Sequence, residues 1–102
     1  MSYRLDVRPE ARWDMIEAAT WYNQKRAGLG GEFSAIVQAA IDSLAENPSL
    51  YRIRARHGQL EVRWIFPKRF PYRVAYYVRG NGVTIFAVAH TARDERAWKE
   101  RL

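Results

Sequence analysis

The sequence predicts an α+β domain in which an antiparallel helical hairpin covers one face of a mostly antiparallel sheet, and three patterns carry that prediction. Residues 3–8, YRLDVR, alternate strictly between apolar and polar. Two apolar stripes with helical spacing follow, one on each side of the glycine-rich break AGLGG at 27–31. Beyond residue 50 the apolar period falls from about 3.6 residues to about 2.

Each element follows from its own residues. Tyr3, Leu5 and Val7 fall on one side of the first segment and Arg4, Asp6 and Arg8 on the other, the pattern of a half-buried strand. Pro9 suits the first turn of a helix, where its missing N–H has no partner to lose. Ala11, Met15, Ala18 and Tyr22 then share one helical face. Trp13 points the opposite way, either onto a neighbouring loop or toward a partner. AGLGG reads as a helix stop and a tight turn. Phe33, Ile36, Val37, Ala40, Ile41 and Leu44 form the stripe of a second helix. It ends at Asn47-Pro48, because the residue before proline disfavours helical angles. A short turn between two helices makes them an antiparallel hairpin.

In LEVRWIF (60–66), Leu60, Val62, Trp64 and Phe66 share one face, with Glu61, Arg63 and Ile65 on the other. YRVAYYVR (72–79) sets Arg73, Ala75, Tyr77 and Arg79 against Tyr72, Val74, Tyr76 and Val78. Gly80-Asn81-Gly82 is a hairpin turn. VTIFAVAH (83–90) is apolar on both faces, as a central strand is. Residues 94–102 read as a short helix with Thr91 or Asp94 as its N-cap. The expected order is therefore strand, helical hairpin, three-strand antiparallel meander and short C-terminal helix, with one sheet face uncovered and several arginines projecting into it.

Composition narrows the function. A chain of 102 residues is one domain, and its 48% hydrophobic content is enough to bury a core. With no cysteine, a disulfide framework and a thiolate metal site are excluded, and a reducing cytoplasm fits. His57 and His90 are the only histidines, so no metal and no cofactor are expected. Charge interrupts the N-terminal segment, so neither a signal peptide nor a membrane span is expected there.

The net charge of +6 is concentrated. Residues 52–79 hold eight basic side chains against one acid, Glu61, while the rest of the chain holds nine against ten. Such a concentration repels itself unless an anionic partner exists, whether RNA, DNA or an acidic protein segment. YRIRARHG (51–58) alternates Arg52, Arg54 and Arg56, placing all three on one side if that segment is extended. FPKRFPYR (66–73) sets Lys68 and Arg69 between prolines and phenylalanines in a stiff basic loop. Arginine suits anion recognition because its planar fork donates parallel hydrogen bonds and its face stacks.

FAVAHTARDERAW (86–98) runs from an apolar strand directly into His90, Arg93 and Trp98. His90 either plugs the strand end by hydrogen bonding or acts as general acid or base in RNA cleavage. Arg73, one strand away, and Arg93 would then stabilise charge on the phosphoryl oxygens. Trp98 and Leu102 share a face that docks back on the domain, with Arg101 beside it, facing solvent or a partner.

EAATWYNQKRAGLGGEF, LAENPSLYR, VRWIFPKRFPYRVAYYV and the ending AVAHTARDERAWKER together resemble the ParE/RelE toxin superfamily, whose members are often called plasmid stabilisation toxins. The resemblance spans nearly the whole chain, and the FPYR-x-x-Y hairpin with the AVAH…R…W…R ending is closer to the ParE branch. It implies a toxin encoded beside an antitoxin whose flexible, acidic and apolar segment wraps and neutralises it. ParE-like members block DNA gyrase and are not nucleases. RelE-like members cut mRNA in the ribosomal A site, often with His or Tyr near the end of the last strand. On that alternative, Arg73 and His90 match positions of the histidine-bearing ribonucleases, with Arg63 as a further catalytic candidate. The chain departs from RelE in lacking a lysine-rich pair before Arg63 and in having Thr91 after His90. Ala92 and Glu95 stand where Arg and Pro are usual. Binding of antitoxin or target is expected at Arg52, Arg54, Arg56, Lys68, Arg69, Arg73, Arg93, Trp98 and Arg101. A basic nucleic-acid-binding module without toxicity is the third reading.

Overall fold

The structure, a computed structural model, describes residues 2–93 and 95–102. It runs β1 (Arg4–Val7), α1 (Pro9–Lys25), α2 (Leu29–Ser43), a 3-10 turn (Pro48–Leu50), β2 (Ile53–His57), β3 (Leu60–Ile65), β4 (Tyr72–Arg79), β5 (Gly82–His90) and a C-terminal 3-10 helix (Glu95–Arg101). The strands form one sheet in the order β1-β5-β4-β3-β2, with β1 parallel to β5 and the other neighbours antiparallel. The α+β architecture is the expected one. The meander has four strands rather than three, because residues 53–57 pair with β3 as an edge strand.

The helical hairpin is held by close approach. Gly28 enters α2 with φ 88°, a left-handed conformation that costs glycine nothing. Gly30 faces α1 so closely that an added Cβ would lie 2.2 Å from the Ala19 carbonyl oxygen, and its N–H donates to Asn23 Oδ1 at 2.7 Å. Ala11 and Ala18 bring α1 down onto the sheet, and Phe33, Val37, Ile41 and Leu44 bring down α2. Tyr3 and, in β1, Leu5 and Val7 pack on the same cluster with Val74, Tyr76, Val83, Ile85 and Val88. Trp13 remains 61% exposed and folds over nothing.

The opposite sheet face has an apolar cluster of its own: Val62, Trp64, Ala75, Tyr77, Phe86, Ala87 and Trp98. β5 feeds both clusters, and a bulge interrupts its register against β4 between Ala75 and Tyr76, so that Ala87 pairs with Ala75 and Ile85 with Tyr76. Phe86 is the extra residue, which puts it beside Ala87 on this second face. The C-terminal element is a 3-10 helix and partly covers this face through Trp98 and Leu102. It begins at Glu95, leaving Thr91 too far back to cap it; Asp94, the other cap candidate, lies outside the described residues. Among the described residues no helix is long and apolar enough to cross a membrane.

Candidate functional site

The face away from the helices centres on Trp64. Its indole is nearly buried on β3, and two guanidiniums lie over it: Arg54 at 5.5 Å and Arg73 at 5.4 Å from the ring centroid. Arg54 also lies 5.4 Å from the ring of Phe66, which is 50% exposed. Guanidinium over indole is attractive by about 0.5–2 kcal/mol, more as water is excluded. Arg73 is only 6% exposed and donates from Nη2 to the Thr91 carbonyl at 3.1 Å. These contacts place both guanidiniums over aromatic surface; Arg54, half-buried, is the one of the pair within reach of an incoming carboxylate or phosphate, while Arg73 lies buried beside it.

A second β-bulge, between Ile53 and Ala55, explains which basic residues reach this face. Strict alternation would put Arg52, Arg54 and Arg56 on one side. Instead Arg54 stacks on Trp64 beside Ala55, which packs on the same cluster, while Arg56 pairs with its cross-strand neighbour Glu61 at 2.7 Å. Arg52 precedes the strand and is exposed. Arg63 turns to the helical side, where it donates to the Tyr51 and Ser49 carbonyls and stiffens the approach to β2.

The β3–β4 loop forms the rim. Phe70 anchors it among Tyr22 and Phe33 at 4.9 and 5.2 Å. Arg69 adopts φ 72°, a conformation that disfavours any residue with a Cβ. Its side chain donates to Glu32 at 3.1 Å, and Glu32 also accepts from Arg26 at 3.2 Å. Those hydrogen bonds, Arg69's first, hold the Glu32 carboxyl below the ordinary carboxylate range. Lys68 is exposed beside an apolar groove of about 470 Å³ between this loop and α2, walled by Ile36, Ala40, Ile65, Phe66 and Pro67.

His90 does not join this face. It pairs with Tyr72 in the sheet register, and the two rings meet edge-on at 5.2 Å on the helical side. Its Nδ1 accepts from the Ala92 N–H at 3.0 Å, so the strand end is tied by local hydrogen bonding. Arg73 pairs with Ala89, one residue on, and therefore projects from the opposite face. Arg63 is committed to Tyr51 and Ser49. Of the four residues named for RNA cleavage, Arg93 lines the same cavity as His90, Arg73 projects from the opposite face, and Arg63 is tied to the approach to β2. Among the described residues no group of three or more His, Cys, Asp or Glu is placed to hold a metal.

Two further binding candidates, Trp98 and Arg101, also have internal partners. Trp98, 7% exposed, packs against Phe86 at 6.1 Å between centroids. Arg101 forms a two-point ion pair with Asp14 of α1, at 2.6 and 3.0 Å, and donates to the Phe86 carbonyl at 3.0 Å. The Asp14 hydrogen bond raises the Arg101 pKa further. Asp14 also accepts from the Val88 N–H at 2.9 Å. Because β1 pairs with β5 only as far as Ile85, Phe86 and Val88 offer outward backbone groups that no strand satisfies, and this ion pair satisfies them. Arg93 is exposed. Sequence reasoning missed Asp14 altogether. The available signal was a carboxylate between Ala11 and Ala18 on the face of α1 that packs on the sheet.

Three solved structures share this fold. A chain of the chromosomal ParDE toxin–antitoxin system from P. aeruginosa superposes with TM-score 0.76 at 12% identity, over 87% of this chain and 96% of that one. The isolated E. coli RelE toxin gives 0.65 at 19%, covering 99% and 100%. The archaeal RelE–RelB complex from Pyrococcus horikoshii OT3 gives 0.61 at 15%, covering 92% and 100%. These likenesses show the fold. No curated protein sequence matches the chain. The model of the ParE toxin of the type II toxin–antitoxin system parDE matches residues 5–95, and the chain belongs to that family.

Proposed function

We propose that this toxin inhibits DNA gyrase and that a cognate antitoxin neutralises it by laying an acidic, apolar segment across the Trp64 face. The observation that carries the binding surface is the pair of guanidiniums held over Trp64, beside the half-exposed Phe66. Such a surface matches a chain that alternates carboxylates with apolar side chains. Membership of the ParE family supports gyrase as the target. So does the separation of His90 from Arg73, since metal-free RNA cleavage needs acid–base and charge-stabilising groups at one phosphate, and of the cations named for that role only Arg93 lines the cavity beside His90.

Purified toxin is expected to block supercoiling by purified gyrase while leaving a translating extract productive. Adding the antitoxin should restore supercoiling. Undisturbed supercoiling at large toxin excess would sink the proposal. New mRNA 5′ ends in the extract, lost in His90→Ala, would establish the ribonuclease in its place.

A further inference from the structure

The outer surface of α1 carries exposed apolar area that the Trp64 face does not account for. Trp13 is 61% exposed, Ile16 55% and Trp21 50%. Within α1, Trp13, Glu17 and Trp21 are spaced four residues apart, so they stand in one line with the carboxylate between the two indoles. Glu17 is exposed and, among the described residues, has no hydrogen bond or ion pair, acting on Arg101 only through its charge. Asp14, the other acid nearby, is already committed to Arg101. Exposed tryptophans on a small domain mark contact surfaces, because a flat ring buries much area for little lost entropy.

We propose that this ridge docks a basic protein segment, which seats an arginine or lysine on Glu17 between the indoles of Trp13 and Trp21. Charge complementarity selects that occupant. On a chain of net charge +6, an exposed carboxylate flanked by indoles rewards a cation and repels the acidic segment that suits the opposite face. Indole is also the strongest aromatic acceptor for a cation. Trp21 already shows that behaviour, with Lys25 Nζ 4.7 Å from its ring centroid. A cavity of about 530 Å³ opens beside Glu17 and Trp21, and Tyr22, Tyr72 and His90 supply aromatic wall for the stem of a long side chain. Arg93 also lines it and disfavours a second cation inside, which keeps the charge at Glu17. The toxin thus presents two surfaces of opposite preference on opposite sides of the sheet. This second surface does not depend on which target the toxin inhibits.

The test uses the whole chain and a short, capped, alanine-based peptide bearing three arginines. The indole N–H resonances of Trp13 and Trp21 should shift on titration, while those of Trp64 and Trp98 stay in place. Added salt should weaken the interaction. Glu17→Gln and Trp13→Ala, both at exposed positions, should each lower affinity about three- to fivefold. Absence of shifts overturns the proposal. So do equal shifts with glutamine in place of the arginines, shifts with a glutamate-bearing peptide, or shifts confined to Trp64 and Trp98.

Discussion

Tyr76 shows how far one side chain can tie the molecule together. Fully buried on β4, it donates its hydroxyl to the Pro48 carbonyl at 2.5 Å and so fixes the turn that leads from the helices into the sheet. Burial pushes the phenol up from 10.0 to about 12. The folded state therefore favours the protonated form. That contribution is complete below pH 10 and is lost as pH rises from there through about 12. Alkaline titration followed by near-ultraviolet circular dichroism should show unfolding in that window. Tyr76→Phe should shift the transition to higher pH and cost about 1 kcal/mol at neutral pH by leaving the carbonyl unpaired. The alternation of YRVAYYVR showed which side of β4 Tyr76 faces. It did not show that Pro48 is the hydroxyl's acceptor, since that contact spans 28 residues.

Among the elements, β5 and its two flanks show most clearly what local patterns leave out. Apolar character on both faces marked β5 as central, and it lies between β1 and β4. The bulge at Phe86 and the early end of β1 were not legible, because nothing in FAVAH distinguishes an extra residue from the next one in the ladder. These two irregularities create the exposed backbone groups that Asp14 and Arg101 satisfy. Replacing Arg101 by Met should cost about 1–3 kcal/mol in denaturant unfolding, since a partly buried carboxylate and a carbonyl both lose their donor. Asp14→Asn should cost less once Arg101 is gone. Additive effects in that double-mutant cycle would show the ion pair to be unimportant. β2 illustrates the same difficulty. Its alternating arginines predicted one shared face, and the bulge at Arg54 sends Arg54 and Arg56 to different neighbours.

For the molecule as a whole, the charge excess in residues 52–79 becomes a surface only where the chain permits. Arg54 and Arg73 come together over Trp64, while Arg56 and Arg63 are drawn into pairs with Glu61 and the Tyr51 carbonyl. Reversing Arg54 to Glu should weaken binding of the cognate antitoxin about 10- to 100-fold, with the larger effect at low salt. The same reversal at exposed Arg12 on α1 should change it less than about threefold. Equal losses at both positions, measured by titration calorimetry, would point to net charge rather than the Trp64 face. The sequence alone determined the helical hairpin, the meander, the buried stripes and the location of the excess charge along the chain, because each rests on periods of two to four residues. Only the tertiary structure decided which face each arginine occupies, that His90 and Arg73 diverge, and that Asp14 meets Arg101 across 87 residues. Those outcomes depend on strand register, and two single-residue bulges are enough to change it.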